Sequence, residues 1–393
     1  MRFNLWEDCN RVPLTELLSF VVDNRGKTVP TAPSGHKLIA TNCVTNNALF
    51  PVYEKIRYLS EETYQTWFRA HPIPGDILFV NKGTPGRVCL VPDPVDFCIA
   101  QDMIALRADE SKIYPKYLFA VLRSREIQQQ IYNTNVGDVI PHFKKQFLDQ
   151  LLIPIPERSI QESIGDLYYV LSLKAERNKK INDNLQQQAA ALFSSLYDRS
   201  NTEVRFTDLI QILGGGTPKT GENTYWNGNI AFFTPKDVGI PYTLITEKTI
   251  SKEGLSHCNS RLYPVNTVFV TARGTVGKVG MSGVPMAMNQ SCYALVGKET
   301  HQLLVYFYTL KVVDRLKHKA SGAVFDAITT RDFESEQIMK LSDDDATAFL
   351  RVAEPMFQEV LNNNIENLRL STLRDSLLPK LMSGEIDVSA VQL

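Results

Sequence analysis

The chain has 393 residues, of which 44% are hydrophobic and 22% charged, and its formal net charge is −1. That length leaves room for two or three domains with separate cores. No apolar run approaches the roughly 20 residues that cross a bilayer, and the acid-bearing start MRFNLWEDCNRVPLTELL lacks the layout of a secretory signal. Cys9, Cys43, Cys89, Cys98, Cys258 and Cys292 are scattered without a C-x-x-C pair. The histidines are likewise dispersed, so reduced thiols and no resident metal are expected. Charge is uneven: residues 201–340 hold 15 basic and 12 acidic side chains, whereas 341–393 hold 4 and 9. That balance permits a local phosphate-facing patch without requiring one.

In chain order, VVDNRGKTVPTAPSGHKLIATNCV (21–44) is followed by a polar and aromatic stretch, 46–72, and then by ILFVNKGTPGRV (77–88). There an apolar strand runs into Lys82, Gly-Thr, one free position, Gly86, Arg87 and Val88. Strand, glycine turn and strand make a hairpin, with cations that are either solvated or turned toward phosphate. IAQDMIAL (99–106) sets Gln101 inside a short apolar strand, and YLFAVLRSREIQQQI (117–131) looks helical. After Pro154 and Pro156, a long helix is expected. Alternating steps of four and three select Ile160, Ile164, Leu167, Leu171, Lys174, Asn178, Ile181, Leu185, Gln188 and Leu192.

The second half says much the same again. VFVTARGTVGKV (268–279) sets Arg273, Gly274, Gly277 and Lys278 against Lys82, Gly83, Gly86 and Arg87. MNQSCYALV (288–296) repeats the strand glutamine at Gln290, and LVYFYTLKVVDRLKH (304–318) repeats the helix. Residues 136–156 align with 321–341, placing Gly137 opposite Gly322, and 193–196 align with 378–381. Leu192 thereby answers Leu377, and Leu196 answers Leu381. Ser342 with Asp343, Asp344 and Asp345 forms an acidic helix start, Gly384 a stop, and Pro355 a kink or the true start. Polar seam positions such as Asn178 and Asn364 would fix register.

Collinear matches over most of each half establish a duplication. The expected fold is α+β: two globular α/β domains, 1–155 and 201–341, separated by two long antiparallel coiled-coil helices, 156–200 and 342–393. A pseudo-twofold internal repeat relates the halves. Helices of about 40 residues would make a rod of roughly 60 Å, on the scale of one to two turns of duplex DNA.

One stretch carries a family resemblance. GGGTPKTGENTYWNGNIAFFTPKDVG (214–239) joins a glycine run, a turn with Lys219, Tyr225-Trp226, an Asn227-Gly228 hairpin turn and Thr234-Pro235-Lys236-Asp237. This resembles the target recognition domain of type I restriction-modification specificity subunits, as LRDSLLPKLMSGEI (373–386) resembles that family's closing helix. The first half departs from the pattern, having a variant opening in place of G-G-T-P.

The resemblance implies a prokaryotic, cytoplasmic, non-catalytic subunit whose two recognition domains each read half of a bipartite target in double-stranded DNA. The helices would set the spacer. The subunit would hold two modification (methyltransferase) subunits that use S-adenosylmethionine and restriction subunits that use ATP and magnesium. It would carry no cofactor itself. A methylation-only complex is an alternative setting. Motifs common to members that read different sequences suit phosphate contact better than base readout. Lys82, Arg87, Thr217, Lys219, Arg273 and Lys278 are therefore the phosphate-side candidates. The segments between motifs supply base-readout candidates: Lys55, Arg57, Tyr64 and Gln65 in one half, and Lys248, Lys252, His257, Asn259 and Arg261 in the other.

Enzyme readings fare poorly on the same residues. NRGKT (24–28) has Val21 where a phosphate-binding loop needs glycine, and GTVGKV (274–279) lacks the hydroxyl residue after Lys278 that would hold magnesium. No N-P-P-Y or D-P-P-Y tetrapeptide is present. The rival from another class is a non-catalytic scaffold that binds proteins only, which the long seams would suit equally well.

Overall fold

The computed structural model describes residues 4–24, 27–99, 101–134, 141–239, 241–319 and 327–387. Gly137, Gly322 and part of NRGKT lie outside the described residues. The chain forms two compact units, Met1–Arg177 with Asn367–Leu393, and Asn178–Glu366. The division falls inside both long helices, so each unit holds the start of one helix and the end of the other.

In the first unit the strands are β1 (Arg11–Pro13), β2 (Leu18–Val22), β3 (His36–Ile39), β4 (Arg57–Leu59), β5 (Ile77–Val80), β6 (Val88–Leu90), β7 (Phe97–Ile99), β8 (Met103–Ala108) and β9 (Leu152–Pro154). They form sheets ordered β2-β8-β5-β6, β4-β3-β7 and β1-β9. In the second unit they are β10 (Thr202–Arg205), β11 (Ile210–Gly214), β12 (Trp226–Phe233), β13 (Tyr242–Thr243), β14 (Lys248–Ile250), β15 (Val268–Thr271), β16 (Val279–Ser282), β17 (Met286–Met288), β18 (Cys292–Gly297) and β19 (Gln337–Lys340). Their orders are β11-β18-β15-β16-β13, β14-β12-β17 and β10-β19.

Strand for strand, the two units share one plan. β3 pairs antiparallel with β4 and parallel with β7, just as β12 pairs with β14 and β17. The duplication thus extends through the opening of the first unit, where no motif signalled it. β13, parallel to β16, is an addition in the second unit. The central strands carry branched and aromatic side chains, ILFV in β5 and VFVT in β15, and are buried along their length.

Several local expectations need correcting. The stretch 117–131 is helical as expected, but in two pieces, Pro115–Leu122 and Arg125–Thr134, broken at Arg123-Ser124, while its counterpart Gln302–Lys319 is continuous. Gln101 and Gln290 sit in the turns before β8 and β18, not within strands. Asn227, at φ +58°, lies inside β12 where its register with β14 shifts. Asn227-Gly228 is therefore a bulge and not a hairpin turn.

The central helix is Arg158–Asp198 and the C-terminal helix Asp343–Met382. Ser342 caps the latter by accepting from Asp345 N at 3.1 Å, and Gly384 follows its end at φ +69°. Pro355 is not the helix start, because the helix runs through it from Asp343.

Within each unit the two helices pack antiparallel. In the first, Ile164, Leu167, Tyr168 and Leu171 meet Arg374, Leu377, Leu378 and Leu381 across a small crevice, with Ile160 against the same core. In the second, Asn178 donates to Glu366 Oε2 at 2.6 Å and Asn182 to Asn364 Oδ1 at 2.9 Å, while Arg199 meets Asp345. Asn363 also donates to Asn182 Oδ1 at 2.9 Å. Leu185 and Leu192 are half-buried against the core of the second unit.

The expected seam loses phase in the middle. Ile181 is 46% exposed, and Asn182, at 4%, faces the partner helix instead. Choosing seam positions by apolarity favours isoleucine there. The buried layer is instead polar, with Asn178, Asn182, Asn363 and Asn364 hydrogen-bonded across the pair, which specifies register at some cost in stability.

Phe193 anchors the end of the central helix, with ring centroids 5.0 Å from Phe307 and 5.5 Å from both Tyr308 and Phe349. Phe193→Ala is expected to lower unfolding free energy by about 3–5 kcal/mol, measured by denaturant titration of the assembled protein. A loss under about 1 kcal/mol would show that this cluster does not hold the helix to the unit.

Candidate nucleic-acid interface

The repeated motif forms the β5–β6 and β15–β16 hairpins, and the two turns share the two backbone bonds that close them. Val80 N donates to Arg87 O at 2.9 Å and Gly86 N to Val80 O at 3.0 Å. In the second unit Thr271 N donates to Lys278 O at 3.0 Å and Gly277 N to Thr271 O at 2.8 Å. Gly83, Gly86, Gly274 and Gly277 all have φ between +74° and +86°, which explains why glycine is repeated at both positions.

Each hairpin is also pinned to a neighbouring turn. Lys82 N donates to Asp102 O and Arg273 N to Ser291 O, both at 3.3 Å, next to Gln101 and Gln290. Lys82, Arg273 and Lys278 are exposed and Arg87 is half-buried. Among the described residues, none of the four pairs with a carboxylate. A cation without an internal partner remains available to an external anion.

In the second unit the glycine run brings most candidates together. A Cβ on Gly215 would fall 2.1 Å from Asn289 O, and one on Gly216 would fall 2.6 Å from Asn259 N. The loop therefore lies directly against the Asn289-Gln290-Ser291 turn on one side and the 257–261 segment on the other. Thr217 Oγ1 is hydrogen-bonded to Gln290 Oε1, linking G-G-T-P to the turn that holds Arg273. Trp226 Nε1 donates to Lys219 O at 3.1 Å, and Lys248 Nζ lies 5.6 Å from the Trp226 ring. Tyr225 stacks on His257 at 4.9 Å.

Thr217, Lys219, Lys248, His257, Asn259 and Arg273 thus belong to one set of touching loops. Lys252 and Arg261 lie on the same segments and are exposed. Asp237 plays an internal part: its Oδ2 accepts from Thr234 N at 2.8 Å and its Oδ1 from Glu247 N at 2.7 Å. T-P-x-D is a loop brace.

In the first unit Arg57 is on β4, and Lys55, at φ +50°, precedes it; both are exposed. Tyr64 is already occupied, stacked between His36 at 4.0 Å and His71 at 4.2 Å. Burial holds the His71 imidazole below the usual histidine range, while a hydrogen bond from His36 holds the Glu61 carboxyl low. Gln65 donates to Glu61 along the same short helix at 2.9 Å. Sequence reasoning could not see this stack, because its members stand up to 35 positions apart.

Among the described residues no group of His, Cys, Asp and Glu could hold a metal ion, and no helix is long and apolar enough to cross a membrane. A family model for the type I restriction modification DNA specificity domain matches residues 21–187 and again 199–340. The type I restriction enzyme HindI specificity subunit of Haemophilus influenzae is similar at 23% identity, over 79% of this chain and 86% of that protein. The MjaIX specificity subunit of Methanocaldococcus jannaschii is 29% identical over 31% of this chain and 29% of its own length. The type I restriction-modification S subunit from M. genitalium shares the fold, with TM-score 0.60 over 97% of this chain and 98% of that one at 15% identity. With one DNA-specificity domain model matching each of two units that share a single strand plan, this chain belongs to the family of type I restriction-modification specificity subunits.

Proposed function

We propose that each unit reads one half of a bipartite DNA target, that the paired helices set the gap, and that the chain performs no chemistry. Two modification subunits, carrying S-adenosylmethionine, would be held by it. Restriction subunits with ATP and magnesium would complete the assembly. The observation that carries this reading is the repetition of one hairpin, with cations that pair with no carboxylate among the described residues, on two units of the same topology. A duplicated reader needs a common way of holding the backbone and a different way of touching bases.

Lys82, Arg87 and Arg273, with Thr217 and Lys219 on the adjoining loop, take the phosphate side. Lys248, Lys252, His257, Asn259 and Arg261 take the bases of one half-site, and Lys55, Arg57 and Gln65 those of the other. Tyr64 supports the second group through its stack.

Replacing Lys82 or Arg273 with Ala in the assembled complex is expected to weaken binding to all sequences alike. Each should flatten the dependence of log K on log salt by about one unit. Altered sequence preference with an unchanged salt slope would instead make these residues base readers. A complex that binds no duplex DNA would favour the protein-only scaffold.

A further inference from the structure

A cavity of about 490 Å³ lies within the second unit, between the end of the central helix, the β15–β16 hairpin and the helix Gln302–Lys319. Phe193, Val279, Phe307 and Leu310 give it an apolar lining, and the small side chains of Ala190 and Ser194 keep the helix wall low. Lys278, Lys311 and Lys317 also line it, against the single carboxylate of Asp314.

Lys278 and Lys317 are exposed and, among the described residues, pair with no carboxylate. Their neighbours differ: Arg315 and Lys319 are both held by the buried Glu336. The stem of Lys317 lies across the hairpin turn, where a Cβ on Gly277 would fall 2.5 Å from its Cε. In the first unit the matching turn is covered otherwise. Gly86 faces Ile131, which is 1% exposed, and its carbonyl accepts from Gln128 at 2.8 Å.

These features separate Lys278 from the phosphate-side set. A phosphodiester could meet the lysines but has no apolar part to fill the floor beneath them. Backbone contact required of both units would be served by matching pairs: Lys278 answers Arg87, but Lys317 lies over Gly277 where Ile131 lies over Gly86, so the lysine pair as a whole has no charged match in the first unit. A large apolar anchor flanked by carboxylates satisfies both parts of the cavity.

We propose that this cavity receives an apolar side chain from an acidic segment of the modification subunit, with Lys278 and Lys317 pairing the flanking carboxylates. The proposal rests on the reading that the chain assembles with such a subunit.

The photo-crosslinking residue p-benzoylphenylalanine, placed at exposed position 190 of the chain in complex with its modification subunit, tests it. The expected cross-link falls on a segment of that subunit with Asp or Glu beside a large apolar residue. The double variant Lys278→Glu/Lys317→Glu should weaken assembly about tenfold or more, and Lys278→Gln/Lys317→Gln should do so to a lesser degree. Both pairs are at exposed positions and should melt with the wild-type chain. Their DNA affinity, measured in complexes saturated with modification subunit, should keep its salt slope.

Cross-linking to DNA, or a salt slope lowered by about two units with assembly unchanged, would make this a phosphate site and overturn the proposal. So would wild-type assembly by both variants. If the wild-type chain itself forms no complex with the modification subunit, the assembly reading fails and the proposal falls with it.

Discussion

Inserting one heptad into each long helix is expected to lengthen the non-specific gap of the DNA target while leaving both half-sites unchanged. The insertions must face each other. In the antiparallel pairing, Tyr168 meets Arg374 and Asn178 meets Glu366, so a heptad after Ala175 and another after Arg369 fall between matched contacts. Seven residues keep the seam phase and add about 10 Å of helix, close to three base pairs at roughly 3.4 Å each. Insertion into one helix alone should instead misalign the Asn178, Asn182, Asn363 and Asn364 layer and destabilise the pair. The modified motif, read from DNA methylated by the variant complex, is the measurement. Altered half-site bases with a fixed gap would end the account of the helices as a ruler.

Exchanging the second globular portion, residues 201–340, for its counterpart from a relative should do the reverse. One half-site should change completely and the gap should stay. The exchange is feasible because strands β10 to β19 close their own sheets within this stretch. The junctions need care at Phe193, Leu196 and Tyr197, which pack on the core the new portion must supply. The expected loss of methylation at the old site is complete, since mismatch at several base pairs costs about 1–3 kcal/mol for each. A chimera that still modified the parental site would mean that specificity resides elsewhere in the chain.

Much of this architecture was legible in the sequence, for reasons that can be named. The hairpin was visible twice because its turn demands glycine at two left-handed positions, and few other residues serve there. The long helices were visible because their apolar steps persist for many turns. The plan shared by the two openings was not visible. His36–Ile39 and Trp226–Phe233 occupy equivalent places in their sheets yet share no motif, since a strand asks only for side chains that fill its own core.

The seam failed at Ile181 because an asparagine layer hydrogen-bonded across a helix pair is indistinguishable, along a sequence, from a polar surface. The site was legible in part. Cations in glycine turns could be named, whereas the contacts gathering Thr217, Gln290, Lys219 and Asn259 come from backbone approach between distant loops. Tyr64, named because it lies between motifs, stacks on His36 and His71, a contact its position along the chain does not reveal.

On the proposed reading, two equivalent units each take half of one target. Methylome sequencing of a host carrying the assembled complex, compared with the same host lacking this chain, tests it most directly. Chain-dependent methylation is expected at one motif of two defined blocks separated by a gap of fixed length and free sequence. A single contiguous motif, or methylation that does not change when the chain is removed, would contradict it.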